Sequence, residues 1–285
     1  VEGPSDRPAA EERPPAAEVA EQTLRKQTTG GKPRPSLKLP PLSGTEPAPS
    51  VPQRLLIVDT ETTGLEPTAG DCIEVGAILF AVGPRAVLGQ VSFLLPCASN
   101  PCEAINGIPA AVSRLNQPRE PLRNAFEALV AAADAVVAHN VGFDRQWFGH
   151  GPLASIDKPW ICSMDDIRWP ADLNLRSQPS LRDLALAHAI PVWAAHRALT
   201  DCTYLAQVFE RRPDLEHLLQ VALEPRRLFK ARVSYDERQL ARQAGFRWND
   251  PVKGAWSRRL SEREVAALPF PAVPIDLEPD LRRSA

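Results

Sequence analysis

Residues 55–65 read Leu-Leu-Ile-Val-Asp-Thr-Glu-Thr-Thr-Gly-Leu, and this stretch decides the fold. An apolar run ending in two β-branched residues passes directly into two carboxylates, Asp59 and Glu61. A short continuous apolar run of this kind marks a buried strand. Side chains alternate across a strand, so Asp59 and Glu61 share a face. Like charges on one face repel, and each is costly to bury alone. A hard divalent cation resolves the conflict, and Mg²⁺ is typically held by one or two carboxylates with phosphate oxygens and water. Taken alone, the pattern fits equally well a strand that ends in solvated polar residues. The rest of the chain separates the two readings.

The chain has 285 residues, 44% of them hydrophobic, enough for one sizeable core plus appendages. No run approaches the ~18 apolar residues of a membrane span. The N-terminus carries no apolar signal-peptide core. The five cysteines (Cys72, Cys97, Cys102, Cys162 and Cys202) form no CxxC pair. The expectation is a cytoplasmic, reduced protein without structural zinc or a disulfide framework. Net charge is −2, but residues 226–263 hold eleven Lys/Arg against four Asp/Glu. A local basic excess suits phosphates.

Residues 1–52 contain eleven prolines and no apolar periodicity, so a disordered tail is expected. Its Arg25, Lys26, Lys32, Arg34 and Lys38 are available to phosphates or a partner. Strands are predicted over 54–60, 72–80 and 85–95, the last two as an antiparallel hairpin through Gly83-Pro84. Leu122, Phe126, Leu129 and Val130 recur at helical spacing within 118–133. A buried strand over 134–138, a short helix over 143–148 and a fifth strand over 159–162 follow. Ser163-x-x-Asp166 and Ser180-x-x-Asp183 read as helix starts, with helices over 180–189 and 199–211. The sum is an α/β domain over 53–212 with a mixed five-stranded sheet flanked by helices. A linker (213–227), a small basic α+β module (228–271) and a loose tail (272–285) complete the chain. Within the module, Ser234-x-x-Glu237 opens a helix stopped by Gly245, and Ser261-x-x-Glu264 opens a last one.

Two further motifs carry chemistry. His139-Asn-Val-Gly-Phe-Asp144 lies where a buried strand ends, and His196-Arg-Ala-Leu-Thr-Asp201 where a helix begins. In open α/β sheets such positions converge at one edge. Asp59, Glu61, Asp144, Asp201 and a histidine are therefore expected in one site. Without metal, those carboxylates repel one another. With two divalent ions they suit phosphodiester hydrolysis, one ion activating water and the other stabilising the leaving oxygen.

Taken together, the three motifs resemble the DEDDh 3′→5′ exonucleases, a family with a ribonuclease H-like fold. It includes the polymerase III proofreading epsilon subunit, exonuclease X and ribonuclease T. The resemblance spans 53–212 and extends to Ile73-Glu-Val-Gly76, Ile105-Asn-Gly-Ile108, Ser180-Leu-Arg-Asp-Leu184 and Trp160-Ile-Cys-Ser-Met164. It implies that Asp59 bridges two Mg²⁺ (or Mn²⁺) ions, that Glu61 and Asp201 bind the water-activating ion, and that Asp144 supports the second. His196 is implied as general base or water orienter. A Tyr four residues before the last Asp would mark the sister subclass, but position 197 is Arg and Tyr204 comes after Asp201. His196, five residues before Asp201, is too far round to share a helix face and is expected on a loop that swings over the site. Thr62, Thr63, Gly64 and Leu65 are implied to receive the terminal nucleotide. Leu65 is either the wedge between bases or a core leucine. Asn140 joins the substrate contacts, His139 is structural or substrate-positioning, and Phe143 stacks on a base or packs the helix.

The C-terminal module resembles small domains appended to such exonucleases. Arg247, Trp248, Trp256, Arg258 and Arg259 suit a single-strand binding platform, or the aromatics form the module's own core. The expected activity is release of nucleoside 5′-monophosphates from single-stranded or frayed 3′ ends. DNA is the first substrate, in repair or proofreading, and a polymerase or repair partner would dock through the tail or the module. The alternatives are an exoribonuclease and a non-catalytic nucleic-acid-binding scaffold.

Overall fold

In the computed structural model, which describes residues 50–194 and 196–275, the opening stretch becomes β1 (Arg54–Thr62). It is the central strand of a five-stranded sheet ordered β3-β2-β1-β4-β5. β2 (Cys72–Ala81) and β3 (Ala86–Leu94) continue from it antiparallel; β4 (Ala135–Ala138) and β5 (Trp160–Cys162) lie parallel on its other side. The sheet is mixed, as its sequence pattern predicts. Both faces are covered, which explains apolar runs in place of clean alternation. On one face Leu55, Ile57, Ile78 and Phe80 pack with residues of α5 (Leu181–Ala187), α6 (Ala198–Glu210) and α7 (Leu215–Ala222). On the other, Leu56, Val58, Val75 and Ala77 pack with Phe126 of α3 (Arg119–Ala132). Two short helices, α1 (Glu103–Asn106) and α2 (Ala110–Ser113), precede α3, and α4 (Val141–Asp144) follows β4.

A second sheet, ordered β7-β8-β6-β9, is antiparallel throughout and comprises β6 (Arg227–Ala231), β7 (Arg247–Trp248), β8 (Trp256–Leu260) and β9 (Ala272–Pro274). With α8 (Arg238–Gln243) and α9 (Glu262–Ala266), it closes its own core around Phe229, Ala241, Phe246, Leu260 and Phe270.

Four expectations change. The segment 213–227 is more than a linker, because Leu215, Leu218 and Leu219 turn α7 into the first core. The tail from 272 begins as β9, whose Val273 pairs with Lys230. Ser163-x-x-Asp166 is a turn: the Asp166 carboxylate accepts the Cys162 N–H (2.8 Å) at a strand end, so it starts no helix. Ser234 and Glu237 do exchange hydrogen bonds, yet α8 starts only at Arg238. The expected disordered tail lies outside the described residues up to 49, and Val51 already packs on the core. Among the described residues no helix is long and apolar enough to cross a membrane.

Candidate active site

The site is assembled by a missing side chain. Gly76 on β2 pairs with Asp59 on β1. A Cβ there would stand 2.3 Å from the Leu199 nitrogen and 2.4 Å from the Ala198 carbonyl carbon, so only glycine lets the first turn of α6 seat on the sheet. Seated there, α6 brings Asp201 to Asp59 and Glu61, and one carboxylate oxygen from each lies within 4.8 Å of the others.

A fourth carboxylate secures that turn. Glu74 pairs with Glu61 across β1 and β2. It accepts hydrogen bonds from Arg197 Nε (3.1 Å) and Nη2 (3.0 Å) and from the Ala198 N–H (3.1 Å). A buried carboxylate at a helix N-terminus satisfies an orphan donor and complements the helix dipole. The motif Ile73-Glu-Val-Gly76 contains Glu74 without disclosing this role. An isolated Glu within an otherwise apolar strand was the available signal, because a charge is seldom buried unpaired.

Asp144 stands apart from the three-way cluster. It is buried at the end of α4, and its Oδ1 accepts both the Thr60 N–H (3.0 Å) and the Thr60 hydroxyl (2.8 Å). Three of the four expected carboxylates converge, and Asp144 acts on them through its charge. Burial, followed by the charges of Asp144, Asp201 and Glu61, holds the Asp59 carboxyl well above its ordinary range. Burial and the charges of Asp201 and Glu74 raise Glu61 to about 8. Burial raises Asp144 to about 7 against the Thr60 hydrogen bonds, and Asp201 to about 6 against the His196 backbone and imidazole. The carboxylates are crowded and pushed up in this way despite the charges of Arg197 and His196 nearby, and this all-oxygen donor set fits a divalent cation.

His196 lies outside α6 on an exposed loop, with its backbone in the left-handed region at φ 63°. The loop after Glu61 is tightly tied. The Thr62 hydroxyl donates to the Gly64 carbonyl (2.6 Å), Asp71 N–H donates to the Thr63 hydroxyl (2.8 Å), and Asn106 Nδ2 donates to the Thr62 carbonyl (3.2 Å). Leu65 is 80% exposed at its tip, which rules out the core-leucine reading. His139 is placed as a structural residue. Its Nε2 donates to the Pro179 carbonyl (3.0 Å), which fixes the tautomer, so Nδ1 accepts the Ser163 hydroxyl (2.9 Å). Burial lowers it to about 4, and with both ring nitrogens engaged it has none to offer a substrate. Asn140 is exposed, and its carbonyl accepts the N–H groups of Phe143 and Asp144 to start α4. Phe143 is half-buried, edge-on to Trp147 at 6.1 Å.

The expected basic platform divides. Trp248 pairs with Trp256 across β7 and β8, their rings 5.7 Å apart, and Trp248 is 52% exposed. Strand alternation puts both tryptophans on one face of the small sheet and Arg247 and Arg259 on the other. Arg258 shares the tryptophan face but turns inward, donating to the Ala244 carbonyl beneath Gly245. It is therefore a structural residue and no surface contact. Arg247 is engaged by Asp250 (2.9 Å) and by Gln178 (3.0 Å).

Residues 56–209 match the model of the exonuclease family RNase_T, and residues 227–275 match a domain of unknown function, DUF8626. The chain is similar to exonuclease X in complex with 5′-overhanging duplex DNA, at 24% identity over 59% of this chain and 99% of that one, with a TM-score of 0.45. It is similar to E. coli exonuclease I in a zinc-bound complex with single-stranded DNA, at 20% identity over 67% of this chain and 50% of that one, with a TM-score of 0.46. A third similar structure is the nuclease domain of 3′hExo, a DEDDh family member bound to rAMP, at 15% identity over 60% of this chain and 96% of that one, with a TM-score of 0.47. No curated protein matches the chain. The family match covers more than half of the 285 residues and contains every acidic residue of the site together with His196, so the chain belongs to the exonuclease family and carries its DEDDh residue pattern.

Proposed function

We propose that this protein is a divalent-metal-dependent 3′→5′ exonuclease that releases nucleoside 5′-monophosphates from single-stranded or frayed DNA ends. The observation that carries the reading is the convergence of Asp59, Glu61 and Asp201 under the first turn of α6, with His196 on the adjoining loop. Asp59, Glu61 and Asp201 would hold the ions, two Mg²⁺ or Mn²⁺, with Asp144 supporting from behind. When bound, such ions supply Lewis-acid stabilisation of the attacking and leaving oxygens. His196 takes the proton of the attacking water at a ring nitrogen, a role suited to imidazole near neutral pH. The tied loop from Thr62 to Gly64 receives the terminal sugar, and Leu65 stands exposed to wedge beneath the last base. The Trp248–Trp256 edge offers a stacking surface to bases further along the strand. Repair or proofreading is the setting we infer. All five cysteines are free thiols, as suits a reducing compartment.

The test is a time course on 5′-labelled single-stranded DNA, duplex DNA and RNA oligomers with Mg²⁺ or Mn²⁺. A descending ladder is expected. Asp59→Ala should lower the rate by roughly 10³-fold or more, because several kcal/mol of charge stabilisation is lost. Immediate release of the labelled 5′ nucleotide would reverse the polarity, and faster degradation of the RNA would make the protein an exoribonuclease.

A further inference from the structure

The loop that carries His196 is anchored at both ends, and the two anchors differ in kind. At its start, the backbone N–H groups of Trp193 and Ala194 both donate to the hydroxyl oxygen of Tyr204 (3.0 and 3.1 Å). The Tyr204 hydroxyl in turn donates to the Ala194 carbonyl (3.3 Å). The Trp193 ring meets the Tyr204 ring edge-on at 5.0 Å and is otherwise 64% exposed. At the loop's end Arg197 is clamped on the buried Glu74 carboxylate. His196 lies between these two anchors.

Two features point past simple packing. A buried tyrosine hydroxyl needs one partner to avoid a penalty. Tyr204 takes three contacts, all with the backbone of two successive loop residues. His196, which has a Cβ, holds a positive φ of 63°, a conformation uncommon outside glycine. Tyr204 also sits on α6, three residues beyond Asp201. One helix thus fixes both an acidic residue of the site and the reach of the loop.

We infer that Tyr204 is a positioning residue for His196: its hydroxyl, opposite the Glu74–Arg197 clamp, holds the loop so that the imidazole faces the acidic cluster. The inference rests on the proposed role of His196 as base.

Tyr204→Phe removes the hydroxyl and keeps the ring. Amide exchange at Trp193 and Ala194 should accelerate in this variant. On single-stranded DNA kcat should fall roughly 10- to 100-fold with KM within about twofold, as expected for misplacing a catalytic group by a fraction of an ångström to one ångström. In a His196→Ala background the same substitution should change kcat by less than about twofold, since nothing is left to position. A loss that persists undiminished without His196 overturns the inference, as does a freed loop with unchanged kcat. Should Tyr204→Phe fail to fold, Trp193→Ala loosens the same anchor from its exposed side by the same cycle: a kcat loss that vanishes without His196 supports the inference, and an additive loss overturns it. A wild type that releases no nucleotide sinks the exonuclease reading and this one together, whereas an active wild type with additive losses sinks only this one.

Discussion

At the scale of single residues, the carboxyl groups make a prediction whose sign is fixed. Glu61 is raised from 4.5 to about 8, chiefly by burial and then by the charge of Asp201. Asp144 and Asp201, ordinarily at 3.8, are raised to about 7 and about 6, again chiefly by burial. A folded-state pKa above the unfolded one means that the metal-free native state prefers the protonated form. Stability from these groups is complete below their ordinary values, near pH 4, and is lost as pH rises through 6 to 8. Metal-free protein should therefore melt roughly 5 °C or more lower at pH 8.5 than at pH 5.5. Saturating Mg²⁺ or Mn²⁺ should remove or reverse that slope, because the ion binds ionised carboxylates of the folded state only. Calorimetry in chelator and in metal checks both arms. A metal-free midpoint that rises with pH would contradict the electrostatic account.

At the scale of elements, α6 is the part on which the site depends, and Gly76→Ala tests its seating. The added Cβ meets backbone atoms of Ala198 and Leu199, which cannot rotate away. The helix must lift, at a cost of roughly 1–3 kcal/mol, the usual range for overpacking. Asp201 moves with it, so hydrolysis should fall about 100-fold or more, the effect of a 1 Å misplacement. A variant with wild-type rate, measured in single turnover beside a urea melt, would show that α6 is not held this way. The same element marks what was legible in the sequence. The apolar run before Asp59 and the positions of Asp201 and His196 follow from strand alternation and helix periodicity, which are local rules. Gly76 and Glu74 become meaningful only when β2 and α6 are laid together, and no local rule does that. Asp144 is readable as acidic but not as bonded to Thr60, which lies eighty-four residues away. The division of the basic platform depends on the register of β7 with β8. A two-residue strand such as β7 leaves no periodic signal. β9 is only one residue longer, at three, and ends in Pro274, so its edge position shows only in the pairing with β6.

At the scale of the whole molecule, the small basic sheet is built into the exonuclease fold by buried charge. Glu264, at the start of α9, is paired with Arg168 from the loop after β5 and with Arg226 from the segment after α7 (3.3 Å). The Arg226 side chain is itself buried and donates to the carbonyls of Val221 (2.8 Å) and Asp166 (3.3 Å). Nearby, Arg263 pairs with Glu224 at 2.5 Å. Burial acts to raise the Glu264 carboxyl, but Arg168 and Arg226 hold it down at about 2. The capping box with Ser261 uses the same carboxylate. Several of the eleven basic residues counted in 226–263 are therefore structural, which leaves the region less basic outwardly than its sequence suggests. Removing one partner of a buried ion pair leaves uncompensated charge and typically costs about 3–5 kcal/mol. Glu264→Gln keeps the shape of the side chain but abandons two guanidinium groups, so it should lower stability by about that amount. Its depressed pKa adds a pH signature. The stability that Glu264 contributes is present above its ordinary 4.5 and lost as pH falls towards 2, so wild type and variant should converge in acid. If the network is what fuses the two sheets, wild type unfolds in urea in one transition, whereas the variant loses the protection of residues 227–275 first under limited proteolysis. A variant that melts with the wild type at neutral pH and is cut no faster would show that the apolar cores, and not this charge cluster, hold the two sheets together.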